Sequence, residues 1–154
     1  MHKDRFAQAI PINPSFPNWN KSFISGHGSV LFNVEHRIAQ NPLELISHVR
    51  FKETAEGPPG YVHGGATAAL IDEVMGILVW HENIPSVTQK LELKYLRPLP
   101  LNQEAHLVTT IEETSEKTTT VKTIVYGNKK TPCVEANGVF HRITEDWKKK
   151  FLIP

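Results

Sequence analysis

Between Ala66 and Trp80 the chain is apolar at nearly every position, interrupted only by Thr67, Asp72, Glu73 and Gly76. At 3.6 residues per turn such a run is apolar around almost its whole circumference, so a helix from about Gly64 to His81 has to be enclosed by protein on every side. A chain of 154 residues is the size of one compact domain with one core, and the rest of it must supply the enclosure. It reads as strands. VLFNVEHRI and ELISHVRF, separated by Asn41-Pro42, have the β-branched and aromatic content of an antiparallel pair. After Pro85, Leu91, Leu93 and Tyr95 alternate with Lys90, Glu92 and Lys94, and three further alternating runs follow: AHLVTTIEE, TTTVKTIVYG and CVEANGVFHRI. One helix against about six strands predicts an α+β domain, an antiparallel sheet wrapped around one long central helix. A single curved sheet cannot cover all of that helix, so a second subunit is expected.

Flanking segments read differently. Residues 1–28 carry Pro11, Pro14, Pro17, Gly26 and Gly28 among scattered aromatics, which predicts an irregular arm that Phe16, Trp19 and Phe23 could anchor to the body. The domain proper then spans 29–143, and the tail 144–154, DWKKKFLIP at its end, shows no period and is expected to pack loosely.

Charge and cysteine usage exclude several classes. Seventeen Lys and Arg against sixteen Asp and Glu leave no basic footprint for a nucleic-acid duplex. The single cysteine, Cys133, forbids an internal disulfide and a zinc ribbon, and reads as a small buried strand residue. No signal-like or membrane-spanning apolar run is present, so a cytoplasmic protein is the default expectation. The basic aromatic tail Trp147-Lys148-Lys149-Lys150-Phe151 is expected to be solvated, without stable membrane association.

The chemistry concentrates on the helix. Gly65, Ala69, Asp72, Gly76 and Val79 share one stripe, in which Asp72 is the one charged group among small neighbours. A carboxylate buried there costs several kcal/mol unless paired or wetted, which makes it a candidate functional group. Glu73 is its rival, about 100° around the helix, with one acid expected to reach solvent and the other a cleft. Upstream, Tyr61-Val62-His63-Gly64-Gly65 places two glycines where the first free N–H groups of the helix point outward, an oxyanion-hole candidate. A cap for His63 and a tight loop for the glycines are the plainer alternatives. Gly64 and Asp72 lie about 12 Å apart along one helix, too far to touch one carbonyl carbon, so a site using both takes them from different protomers.

HGG followed by an acid nine residues after the histidine on a helix, then a strand ending Tyr95-Leu96-Arg97-Pro98, resembles the PaaI-type thioesterases of the hotdog superfamily. It is especially similar to human thioesterase superfamily members that share the pattern GPPGxxHGG. The resemblance runs from about Ser29 to Ile143. It implies a hotdog fold and an acyl-CoA thioesterase, a homodimer or dimer of dimers that needs no metal or organic cofactor. By that resemblance Asp72 is the carboxylate that activates water or attacks the thioester, with general base the favoured role. Gly64 supplies the N–H that polarises the carbonyl, His63 shapes that site, and Thr88 positions the water. Gly65, Ala69 and Gly76 are expected to line the substrate site, and Lys94 and Arg97, with Lys129 and Lys130, to meet the phosphates of coenzyme A.

Two departures stand out. Gly57-Pro58-Pro59-Gly60 occupies the place where some relatives carry an asparagine before the HGG turn. Strict alternation from Leu91 also turns Thr88 toward the side of Lys90 and Glu92, so its role demands a bend or bulge near Pro85. An acyl-CoA hydratase or dehydratase on the same fold, and a hotdog dimer that binds acyl-CoA or a partner protein without turnover, are the competing readings.

Overall fold

The structure, a computed structural model, describes residues 2–24 and 29–152. Gly26, Gly28 and the terminal Ile153-Pro154 lie outside the described residues. The elements in chain order are α1 (His2–Gln8), β1 (Ile10–Ile12), β2 (Phe32–Gln40), β3 (Leu43–Phe51), α2 (Gly64–His81), β4 (Ser86–Tyr95), β5 (Glu104–Thr114), β6 (Thr118–Tyr126), β7 (Pro132–Arg142) and α3 (Glu145–Leu152). Every strand pairs antiparallel in a single sheet of order β1-β2-β3-β5-β6-β7-β4. This is the α+β hotdog architecture, one long helix against a curled sheet.

Alternation in the sequence becomes burial in the sheet. On β6, Thr119, Val121, Thr123 and Val125 are buried while their neighbours are half-exposed, because successive side chains point to opposite faces. The buried hydroxyls of Thr123 and of Thr109 on β5 satisfy each other at 2.9 Å. Helix α2 packs against β3, β4, β5, β6 and β7, and Leu70, Ile71, Val74, Met75, Ile77 and Leu78 are sealed from solvent. Burying each such side chain contributes about 1.5–3 kcal/mol. Gly138 permits the closest approach: a methyl group there would stand 2.6 Å from the Met75 Sδ. One stripe of α2, holding Ala69, Asp72, Glu73, Gly76 and Trp80, is only partly covered.

Two expectations fail at the ends of the chain. The arm is not irregular throughout, since it holds α1, β1 and a 3-10 turn at Trp19–Lys21. Phe6 stacks on His48 at 3.6 Å and Arg5 forms a 2.7 Å ion pair with Glu44, tying α1 to β3; β1 then extends the sheet beyond β2. Phe16 packs against the core, whereas Phe23 is 74 % exposed and anchors nothing. The tail is helical over α3, with the Thr144 hydroxyl accepting the Trp147 N–H at its start, acids in the first turn and lysines in the last, the arrangement a helix dipole favours. Cys133 is buried and unpaired, as expected of a small strand residue. Among the described residues no helix is long and apolar enough to cross a membrane.

His36 on β2 gives the fold a pH dependence. It is 7 % exposed, its Nδ1 stands 2.8 Å from the Ser47 Oγ, and burial pushes its pKa down to about 4. The folded state therefore holds a neutral imidazole, while the unfolded chain binds a proton near the ordinary value of about 6.5. Between those two values the unfolded state carries more protons, so stability is complete above pH 6.5 and falls as pH drops toward 4. The shift corresponds to about 3 kcal/mol. In urea unfolding at pH 7.5 and 4.5, the wild type should lose 2–3 kcal/mol more (roughly) than His36→Gln; equal losses in the two proteins would refute the assignment.

Candidate active site

The start and the middle of α2 carry the two halves of the expected chemistry. In its middle, the Thr88 hydroxyl on β4 donates to Asp72 Oδ1 at 2.7 Å. Asp72 Oδ2 has no hydrogen-bond partner among the described residues. Thr88 can reach this carboxylate because the β4–β7 register shifts between Thr88 and Lys90. The bulge reverses the facing of residues before it, which is the irregularity the alternation required. Asp72 and Thr88 border a cavity of about 480 Å³ that Gly76 also lines.

Glu73 is not turned away to solvent, contrary to the expected division between the acids. It lines the same cavity, and its Oε1 accepts the Ser22 hydroxyl of the arm at 3.0 Å. The two acids are distinguished by their partners instead: one is held by a strand hydroxyl at the bulge, the other by the arm.

At the start of α2, His63 is the N-cap, with φ −62° and ψ 133°. Its Nδ1 accepts the Gly65 N–H at 2.8 Å, and its carbonyl accepts the N–H groups of Ala66 and Thr67. Of the first-turn donors this leaves the Gly64 N–H, which has no acceptor among the described residues. An unpaired donor at the positive end of a helix dipole is suited to a developing oxyanion. Gly65 serves the cap: a methyl group there would meet the imidazole Nδ1 at 3.0 Å. The preceding loop is fastened by the His63 N–H to the Ala55 carbonyl at 2.7 Å and by the Gly60 N–H to Glu56 Oε1, also at 2.7 Å.

Tyr95 was not singled out from the sequence, yet its hydroxyl donates to the Gly64 carbonyl at 2.8 Å, and a methyl group built on Gly64 would meet its ring at 3.4 Å. Partial burial raises its phenol above the usual range, so it remains a neutral donor. Its place in Tyr95-Leu96-Arg97-Pro98, on the same face as Leu91 and Leu93, was the available signal. The remaining expected residues lie apart from the cavity. Lys94 is exposed on β4, the Arg97 guanidinium donates to the Pro132 carbonyl at 2.8 Å, and Ala69 is half-buried on α2 without reaching the cavity lining. Lys129 and Lys130 are exposed in the β6–β7 turn. Among the described residues no cluster of three or more His, Cys, Asp or Glu side chains could hold a metal ion.

Residues 59–134, which include the α2 cap, Asp72 and Thr88, match the family model described as thioesterase superfamily. Acyl-coenzyme A thioesterase THEM4 of Rattus norvegicus is 44% identical over 46 residues, 30% of this chain and 20% of that protein. The matched stretch thus spans about a fifth of the length of this curated relative. Among solved structures, a hypothetical thioesterase with coenzyme A from Streptococcus pneumoniae superposes with a TM-score of 0.68 at 15% identity, covering 72% of this chain and 86% of the other. Zebra fish thioesterase superfamily member 2 gives a TM-score of 0.65 at 14% identity, with 71% and 81% covered.

Proposed function

We propose that this chain, which belongs to the hotdog-fold thioesterase superfamily, hydrolyses an acyl-CoA thioester to a free acid and coenzyme A. Asp72 takes a proton from water as the water oxygen bonds to the carbonyl carbon. The Gly64 N–H holds the oxyanion that forms, and collapse of the tetrahedral intermediate breaks the carbon–sulfur bond, the thiolate recovering the proton from Asp72. Thr88, donating to Oδ1, keeps the carboxylate oriented with Oδ2 free for the water. The observation that carries this reading is the Asp72–Thr88 pair at 2.7 Å on the border of a cavity. Coenzyme A on the Streptococcus pneumoniae relative supports the ligand class.

The site needs a second copy. Gly64 and Asp72 are about 12 Å apart along α2, so each carbonyl is served by Gly64 of one protomer and Asp72 of the other. Strand β4 ends the sheet with an unpaired edge of ten residues and exposes Val87, Tyr95 and Leu96 at or just beyond its length. Such an edge invites pairing with an identical one, giving a homodimer that can double again into a dimer of dimers. Lys94 on that strand, Arg97 just past its end, and Lys129 and Lys130 are then the cations offered to the coenzyme's phosphates. A cytoplasmic setting belongs to the same reading. A hydratase or dehydratase is disfavoured because His63 Nδ1 is committed to Gly65 and no histidine lines the cavity among the described residues.

Purified protein should release free thiol from acyl-CoAs in a thiol-reagent assay, with the rate unchanged by a chelator. Failure to release thiol at any chain length would retire the hydrolase reading in favour of binding without turnover.

A further inference from the structure

The cavity beside Asp72 is not made by the hotdog body alone. Trp80 of α2 and Phe140 of β7 form part of its wall, and Phe16, Pro17 and Asn18 of the arm complete it. The arm starts at the opposite side of the sheet, where β1 pairs with β2, and crosses the open stripe of α2 to reach this place. Asn18 turns it in a left-handed conformation, φ 55°. The Ser22 hydroxyl then latches it to Glu73, the immediate neighbour of Asp72, and accepts the N–H of the buried Ile24.

The helix face beneath the arm is hollow. A methyl group built on Gly76 would meet nothing within 4 Å. Gly76 lies one turn beyond Asp72 and Trp80 a further turn, steps of about 6 Å along α2. The polar pair thus sits at one end of an increasingly apolar trough bounded by Phe16, Trp80 and Phe140. We infer that this trough takes the acyl tail, an apolar chain running from Asp72 past Gly76, and that Phe16 of the N-terminal arm sets the length accepted. This rests on Asp72 being the carboxylate at the reacting carbonyl.

Binding of non-hydrolysable S-butyl-CoA and S-dodecyl-CoA thioethers, measured by calorimetry on the full chain, separates chain length from turnover. Gly76→Leu fills open space and improves helix propensity, so it should fold; it should lower the long-to-short affinity ratio about tenfold or more. Phe16→Ala removes the proposed wall and should raise that ratio by about fivefold. Ratios within about twofold of wild type in both variants overturn the inference, including the case where both affinities fall together because the arm merely supports the fold. Wild type that binds neither thioether overturns it as well. Because no hydrolysis is read, binding that shows the expected ratios without thiol release from acyl-CoA would sink the hydrolase reading and leave the trough standing.

Discussion

Asp72→Asn should lower kcat on acyl-CoA by about 10²–10⁴-fold, the range contributed by a positioned general base. The substitution is nearly isosteric, and Thr88 can still donate to the amide oxygen in place of Oδ1, so geometry and assembly are retained while the proton acceptor is lost. Glu73→Gln is the informative comparison. Both acids border the cavity, but Glu73 is engaged by Ser22, and a glutamine keeps an acceptor for that hydroxyl. Its rate should stay within about tenfold of wild type. Steady-state thiol release, with circular dichroism and sizing to establish that the variants fold and assemble alike, decides the matter. Full activity in Asp72→Asn, or a larger loss in Glu73→Gln, would remove Asp72 from the mechanism.

That such a comparison is needed shows where sequence patterns stop. Helix α2 was legible to its ends because a nearly all-round apolar run bounded by His63-Gly64 and His81 has one reading, and the structure places it at Gly64–His81. Strands β4 to β7 were legible from period two and β2 and β3 from their β-branched and aromatic content, and the bulge at Thr88 from the conflict between that period and the role its position implied. Glu73 was misplaced because a helical wheel gives angles but not what will stand opposite, and here the arm folds back over it. Helix α1 and strand β1 owe their places to partners distant in the chain, Phe6 on His48 and Ile10–Ile12 beside β2, which no local period encodes. For α3 the signal existed in Thr144, the acids after it and the lysines beyond. It lay in capping and charge rather than in an apolar stripe.

Gly64→Pro should reduce kcat by about 10²–10³-fold, the loss expected when one oxyanion donor is removed. Proline is a clean deletion at this position. Gly64 is the first residue of α2, where proline is well tolerated and its missing N–H breaks no helix bond. His63 before it is already extended, at φ −62° and ψ 133°, as a residue preceding proline must be. On the proposed arrangement, in which Gly64 of one protomer and Asp72 of the other serve one carbonyl, the two variants should rescue each other. A heterodimer of Gly64→Pro with Asp72→Asn rebuilds one intact site, from the Gly64 of one protomer and the Asp72 of its partner, and leaves the other site doubly defective. Random exchange makes half the dimers mixed, so unfolding and refolding the two together should recover about a quarter of wild-type activity. A site built within one protomer predicts no recovery, because each chain then carries its own lesion. Recovery also requires exchange, so sizing of differently tagged variants must show mixed dimers; mixed dimers without activity would place both groups in a single protomer's site.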